Sequence, residues 1–158
     1  MKRQFQLKPT HVYLKGGKLF ISNTPAIVST VLGSCVSVTF FSRSPRLGAM
    51  CHVLLPTGAN MNGFKYEDST LEHMVERIGK MGINAKSCEV KLFGGANILW
   101  TSDPSGNRKT VGYRNISMAY QKLELLGITA VISDVGGEKG RKLLFNTGTG
   151  GVLLKRLG

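Results

Sequence analysis

The residues best suited to chemistry in this 158-residue chain lie around Cys35, within residues 29–38. Ser29 and Thr30 lead into a short turn at Gly33 and Ser34, and the turn ends on the cysteine that opens an alternating strand. A thiol presented directly after a tight turn is suited to nucleophilic attack. The competing interpretation is structural, because free cysteine is among the most frequently buried residue types.

His52 is the base that best complements this thiol. The strand that begins at Cys35 alternates in polarity, and Cys35 falls on its more polar face. If residues 42–45 form the loop of a hairpin, Phe41 lies opposite Arg46 and Cys35 lies opposite His52. Directly opposed residues have Cβ atoms about 4.5–5.5 Å apart on one face of the sheet. This register would place the imidazole beside the thiol.

A cysteine and a histidine in contact can hydrolyse an amide. An unperturbed thiol has a pKa near ~8.5, and an adjacent imidazole raises the thiolate fraction. Attack of the Cys35 thiolate on a carbonyl gives an acyl-enzyme, and protonated His52 can supply a proton to a leaving amine. Either Thr30 or Ser29 could orient the histidine through its second ring nitrogen. Taken alone, His52 could equally be a core residue.

The turn itself offers further groups. Backbone N–H groups of Gly33, Ser34 and Cys35 are candidate donors to an oxyanion. The other histidines, His11 and His73, are expected at the surface. No CxxC or HxxxH spacing occurs, and the glycine pairs at 94–95 and 136–137 match no nucleotide-binding fingerprint. The sequence therefore predicts neither a metal nor a cofactor.

The composition is strongly basic. Lys and Arg number 21 against 9 Asp and Glu, a formal net charge of +12, which suits an acidic partner. A cluster of basic residues near the C-terminal end could form a docking face: Lys139, Arg141, Lys142, Lys155 and Arg156. Nucleic acid is disfavoured, because no recognised nucleic-acid-binding pattern occurs. No signal peptide or long apolar run is present, and the three cysteines suggest no disulfide framework, so a cytoplasmic protein is expected.

The remaining pattern predicts one α+β domain over residues 1–158, with two main helices packed on β-sheet. Ser69 and Glu72 form a capping box for the first helix, whose apolar stripe is Leu71, Met74, Val75 and Ile78. Asn115 is the expected cap of the second helix, whose apolar face is Ile116, Ala119, Tyr120 and Leu123. A strand is expected over residues 128–132, and a final hairpin over residues 142–145 and 152–154.

The order of these motifs resembles the chemoreceptor glutamine deamidase family, CheD. The likeness begins with Leu32-Gly33-Ser34-Cys35-Val36-Ser37-Val38 and residues 48–56. It continues through Lys65-Tyr66-Glu67-Asp68, Phe93-Gly94-Gly95-Ala96, Gly112-Tyr113-Arg114-Asn115 and Asp134-Val135-Gly136-Gly137, and it closes with Arg141-Lys142, Phe145 and Thr149-Gly150. The matching segments therefore span nearly the whole chain.

The resemblance implies a cytoplasmic amidohydrolase that converts glutamine side chains on the helical cytoplasmic part of chemotaxis receptors to glutamate. It implies a cysteine-hydrolase fold, a mixed α/β sandwich related to deamidating toxins. By the same likeness Cys35 is the nucleophile, His52 the general base and acid, and Thr30, in preference to Ser29, the orienting residue. A CheC-type phosphatase is an implied possible partner. The alternative function is a non-catalytic adaptor that binds receptors or that phosphatase through the basic surface.

Overall fold

The computed structural model describes residues 8–53, 69–98, 100–101 and 109–158. The described strands are β1 Thr10–Tyr13, β2 Leu19–Ser22, β3 Ala26–Leu32, β4 Val36–Ser42, β5 Leu47–Val53, β6 Glu89–Gly94, β7 Trp100–Thr101, β8 Lys109–Thr110, β9 Ile132–Val135, β10 Arg141–Asn146 and β11 Val152–Arg156. The described helices are α1 Thr70–Lys80 and α2 Val111–Leu125, with a 3-10 turn at Ala85–Ser87.

Two mixed sheets stack against each other. The outer sheet has the strand order β1-β3-β10-β11, and the central sheet has the order β2-β5-β4-β6-β9. Helix α1 packs on β5 and β2, and α2 packs on β4, so both helices cover the face of the central sheet that lies away from the outer sheet. The described residues thus form three layers, helices on sheet on sheet. This arrangement confirms the predicted α+β sandwich.

Alternation along β4 divides the core into two parts. Val36, Val38 and Phe40 pack toward the helices, whereas Cys35 packs toward the outer sheet with residues such as Phe93. All of β4 from Val36 to Phe41 is buried. The predicted alternation is therefore present, but the more polar face lies between two sheets instead of facing solvent. Burial between sheets is what allows a side chain of one sheet to contact a side chain of the other.

The β4–β5 hairpin is shifted from the predicted register. Ser42 pairs with Leu47 and Ser37 pairs with His52, so the connection consists of residues 43–46. The expected pairing of Cys35 with His52 is therefore wrong by two residues. A shift of two preserves the face of each side chain, because strand side chains alternate with a period of two. Cys35 and His52 consequently remain on one face, as diagonal neighbours.

Both helix starts differ from the predictions. Ser69 occupies the N-cap position of α1 without a side-chain capping hydrogen bond, and Glu72 pairs with Lys122 at 3.2 Å, so no capping box forms. Helix α2 begins at Val111, where the Thr110 hydroxyl accepts the cap hydrogen bond from Tyr113 N–H. Asn115 is a buried residue of the second turn and does not cap the helix.

The apolar stripe predicted for α1 is confirmed. That for α2 is confirmed except at Tyr120, which is exposed. The strand expected over residues 128–132 instead begins at Ile132. Ile128 precedes the strand and is buried in the core. The final hairpin forms as predicted.

The motif at residues 65–68 lies outside the described residues. Within the described part of the chain, no helix is both long and apolar enough to cross a membrane.

Candidate active site

A hydrogen bond joins the two sheets at the predicted base. Thr30 of β3 and His52 of β5 meet through Thr30 Oγ1 and His52 Nδ1, 2.8 Å apart. Both residues are enclosed, with 0 % of Thr30 and 6 % of His52 exposed. The backbone of His52 is held on the opposite side by the turn before β2, since its N–H donates to Lys18 O and its carbonyl accepts from Gly17 N–H. The imidazole therefore has a fixed place between the layers.

The protonation of the imidazole follows from the neighbouring carbonyl. Thr30 Oγ1 lies 2.7 Å from Leu14 O, which can only accept, so the hydroxyl must donate its single proton there. The same oxygen can then only accept from His52, which places the ring proton on Nδ1. Nε2 is left with a lone pair. The chain Leu14–Thr30–His52 thus selects the tautomer in which Nε2 can act as a base.

Burial also favours the neutral imidazole. Desolvation lowers the pKa of His52 below its ordinary value, and the nearby Leu14 carbonyl opposes that shift only in part. A neutral imidazole near pH 7 can accept a proton, which is what a general base requires. Electrostatics and hydrogen bonding thus both favour a neutral His52 with a free lone pair on Nε2.

The predicted nucleophile is placed by the turn between β3 and β4. Cys35 is half-buried, whereas Cys51 and Cys88 are buried. It lies two residues before Ser37, the direct partner of His52. Diagonal neighbours on one face have Cα atoms about 7–8 Å apart, with Cβ atoms somewhat closer, within reach of an aromatic side chain. The sheet thus brings the thiol and the imidazole to the same face.

Three successive carbonyl groups of this turn are hydrogen-bonded. Gly33 O accepts from Ala96 N–H at 3.0 Å, and Cys35 O accepts from Gly95 N–H at 2.8 Å. Between them, Ser34 O accepts from the side-chain amide of Asn115 at 2.6 Å. In a trans peptide the carbonyl and the following N–H point in opposite directions. The N–H groups of Ser34 and Cys35 are thereby turned away from these partners.

The loop after β6 is supported in turn by the loop after β9. Gly136 N–H donates to Gly94 O at 2.9 Å, and Asn97 N–H donates to Gly137 O at 2.7 Å. Gly94 and Gly95 have positive φ values of 107° and 72°, a conformation that glycine adopts without a Cβ penalty. Gly136 and Gly137 also have positive φ values, 78° and 74°, so both glycine pairs form turns at strand ends.

An ion cluster around the buried Arg141 fixes the loop after β9. Asp134 Oδ1 accepts from Arg141 Nε at 2.8 Å, and its second oxygen lies 2.8 Å from Arg156 Nη2. Arg141 is only 1 % exposed and also donates to Gly136 O at 2.7 Å. The predicted basic face is consequently wrong for Arg141, which is a core residue. Lys142 and Lys155 are exposed and paired across β10 and β11.

The other predicted residues separate clearly. Ser29 lies on the outward side of β3, the opposite side to Thr30, so only Thr30 reaches His52. His11 and His73 are exposed, as expected. Among the described residues no group of three His, Cys, Asp or Glu side chains is placed to hold a metal ion. The absence of a metal and of a cofactor stays a prediction.

Sequence reasoning missed one residue of the site, Asn115. Asn115, Ala119 and Leu123 are spaced four residues apart and therefore lie on one face of α2, where Ala119 and Leu123 are buried. A polar residue in line with a buried helical stripe must find a partner inside the protein. That spacing was the available signal, although it does not identify the partner as the Ser34 carbonyl.

Comparison with known proteins identifies similar sequences along the chain. A family model described as "CheD chemotactic sensory transduction" matches residues 54–156. That range includes Asn115 and Arg141 but begins after Thr30, Cys35 and His52. The matched region of the first relative described below covers 95% of this chain and therefore also spans positions 30, 35 and 52.

Three relatives illustrate the range of identity. A Geobacter sulfurreducens protein named "Probable chemoreceptor glutamine deamidase CheD 2" is 47% identical over 150 residues, covering 95% of this chain and 92% of the relative. A Maridesulfovibrio salexigens protein named "Probable chemoreceptor glutamine deamidase CheD" is 39% identical over 155 residues, covering 92% and 91%. A Thermococcus kodakarensis protein of the same name is 34% identical over 146 residues, covering 89% of each chain.

Proposed function

We propose, since this chain belongs to the CheD family, that it is a protein-glutamine deamidase that hydrolyses glutamine side chains of chemoreceptors to glutamate and ammonia. The observation that carries the proposal is the hydrogen-bond chain Leu14–Thr30–His52, which leaves a basic Nε2 on the face shared with Cys35. A thiol with a tautomer-selected imidazole beside it is the arrangement that covalent amide hydrolysis needs.

In the first half-reaction, His52 Nε2 takes the thiol proton and the Cys35 sulfur attacks the side-chain amide carbon of glutamine. The carbonyl π electrons move to oxygen and give a tetrahedral oxyanion. His52 then gives its proton to the amide nitrogen, the C–N bond breaks, and ammonia leaves. A thioester between Cys35 and the substrate remains.

In the second half-reaction, water attacks the thioester while His52 Nε2 accepts one of its protons. The C–S bond breaks when the new tetrahedral intermediate collapses, and the proton returns to the Cys35 sulfur. The product is glutamate, and the net reaction consumes one glutamine side chain and one water. No metal or redox partner enters this balance.

Thr30 acts as a positioning residue throughout. When His52 carries two protons, the Nδ1–H still donates to Thr30 Oγ1, whose own O–H still donates to Leu14 O. The ring therefore keeps one orientation while Nε2 exchanges its proton. Backbone N–H groups of the Gly33–Ser34–Cys35 turn are the donors to the oxyanion in this scheme.

The wider setting of the reaction follows from the same proposal. We place the enzyme in the cytoplasm as a single domain over residues 1–158, with the helical cytoplasmic region of a chemoreceptor as substrate. The net charge of +12 would accelerate encounter with an acidic partner surface. A CheC-type phosphatase is a further proposed partner.

The test is incubation of the purified protein with the cytoplasmic fragment of a chemoreceptor from the same organism. Peptide mass spectrometry reads glutamine-to-glutamate conversion, and an ammonia assay follows the same time course. His52→Ala should abolish conversion, whereas His73→Ala should leave it unchanged because His73 is an exposed residue of α1. Stable binding of the fragment without conversion by the unmodified protein would favour the adaptor function instead.

A further inference from the structure

We infer that Asn115 is a positioning residue that aims the Cys35 N–H at the oxyanion, an inference that rests on the proposed function. Its side-chain nitrogen donates to Ser34 O at 2.6 Å, the shortest of the three hydrogen bonds that hold the turn. That hydrogen bond reaches a backbone carbonyl, not the thiol or the imidazole. Its effect on the reaction must therefore pass through the Ser34–Cys35 peptide.

The direction of that effect follows from peptide geometry. Because the Ser34 carbonyl and the Cys35 N–H are antiparallel across a trans peptide, fixing the carbonyl toward α2 fixes the N–H away from it. The peptides on either side are fixed separately by Ala96 and Gly95. Without Asn115, the middle peptide alone would lose its hydrogen-bonded anchor. The N–H most affected is the one that belongs to the nucleophile.

The orientation of the carboxamide is determined by its partner. Only the NH₂ group can donate to a carbonyl oxygen, so Oδ1 must point the other way. Oδ1 is buried and has no hydrogen-bond partner among the described residues. A buried acceptor without a partner is unfavourable, and a smaller apolar residue would avoid it. Function offers a reason for a carboxamide here that stability alone does not.

Asn115 is held rigidly because α2 packs very closely against the loop that contains Gly95 and Ala96. A Cβ added at Gly112 would collide with the backbone carbonyls of Gly95 and Ala96, and one at Gly95 would collide with Ile116. Asn115 is 1 % exposed and lies one turn beyond this contact. The helix is thus held at a fixed distance from the turn, and the length of the asparagine side chain matches that distance.

Two reactions of the Cys35 thiol distinguish positioning of the oxyanion donor from activation of the thiol itself. Alkylation by iodoacetamide forms a C–S bond and expels iodide without an oxyanion. Acylation by p-nitrophenyl acetate forms a C–S bond to the carbonyl carbon, passes through an oxyanion, and expels p-nitrophenolate. Both adducts at Cys35 can be followed by peptide mass spectrometry on the full chain. Neither reaction requires the receptor.

Asn115→Leu removes the donor at similar volume, and Asn115→Asp at high pH replaces it, at nearly identical shape, with a carboxylate that can only accept. We expect both to slow acylation by about tenfold to 10²-fold, up to the range seen when one oxyanion donor is lost, with alkylation within about twofold of the unmodified protein. The rate constant kcat for a receptor fragment should fall by a similar factor at unchanged KM. Leu123→Val, on the same helix, should lower the Tm without changing the acylation-to-alkylation ratio.

Parallel loss of acylation and alkylation, or no change in either, would overturn the role of Asn115. The inference would also fail if Leu123→Val changed the ratio as much as the Asn115 variants. Failure of the proposed function has a different signature. In that case the unmodified protein would acylate and alkylate at Cys35, with the expected Asn115 pattern, and still convert no receptor glutamine.

Discussion

Replacing Thr30 with valine tests the hydrogen-bond chain on which the assignment of the base depends. The substitution preserves shape but removes the oxygen that accepts from His52 Nδ1 and donates to Leu14 O. Both partners are left without that hydrogen bond, and His52 is only 6 % exposed. Each buried group left unsatisfied costs about 1–3 kcal/mol, and the added methyl group returns about 1 kcal/mol. The free energy of unfolding should fall by about 1–5 kcal/mol.

The effect on catalysis should be larger than this stability loss explains. Without Thr30 Oγ1, no oxygen selects the tautomer, and the ring can turn away from the thiol. General base catalysis contributes about 10²–10⁴-fold, and we expect loss of kcat by about 10²-fold because the imidazole itself is retained. The assay is glutamine conversion on a receptor fragment at a temperature where the variant is folded by circular dichroism.

Two matched variants complete the experiment. Thr30→Ser keeps the hydroxyl and should retain most of kcat, while Ser29→Ala removes a hydroxyl on the outward face of β3 and should have no effect. A folded Thr30→Val protein with undiminished kcat would refute the role of the hydroxyl. So would a loss on Ser29→Ala equal to the loss on Thr30→Val.

Three further predictions concern pH, the ion cluster and the thiols. Since burial lowers the pKa of His52, kcat/KM should stay level as pH falls to about 6.5 and decline only below it; a decline centred above 6.5 would contradict the neutral base. Burial raises the pKa of Asp134, but Arg141 and Arg156 outweigh burial and hold the pKa below its usual value. The contribution of the Asp134 carboxylate to stability is therefore present at neutral pH and is lost as pH falls through the lowered pKa. Asp134→Asn should cost about 1–3 kcal/mol in urea unfolding because it removes the charged partner of the buried Arg141 guanidinium, whereas Glu76→Gln in the exposed pair with Lys80 should cost under about 0.5 kcal/mol; equal losses would contradict this ranking. Iodoacetamide should modify Cys35 before Cys51, whose pKa burial raises to about 12, and before Cys88; equal rates in quantified tryptic peptides would count against an activated Cys35.

Local patterns were sufficient to predict which side chains share a face, because strand alternation survives an error of two residues. The pairing of Cys35 with His52 was misplaced by two positions, yet the two side chains stay on one side of the central sheet. The sequence could not fix the hairpin connection, since a four-residue loop can begin at Ser42 or Arg43 with similar local preferences. The alternation of β4 alone also does not predict that a second sheet stacks on that face.

Long-range contacts account for the remaining errors. Asn115 has the local character of a helix cap, but its partner is Ser34 O, 81 residues earlier in the chain. Arg141 belongs by sequence to a basic cluster, but Asp134 and Gly136 O draw it into the core. Thr30 and Ser29 were equivalent by spacing, and only the side of β3 that faces His52 distinguishes them. In each case tertiary contact overrode a local preference.

The most direct test of the central proposal compares Cys35→Ala with Cys88→Ala in glutamine conversion on a chemoreceptor cytoplasmic fragment. Both variants remove one thiol, and both proteins should remain folded because each substitution is small. We predict that Cys35→Ala converts no glutamine to glutamate, while Cys88→Ala matches the unmodified protein. Conversion by Cys35→Ala at the rate of the unmodified protein would contradict a mechanism that passes through the Cys35 thioester.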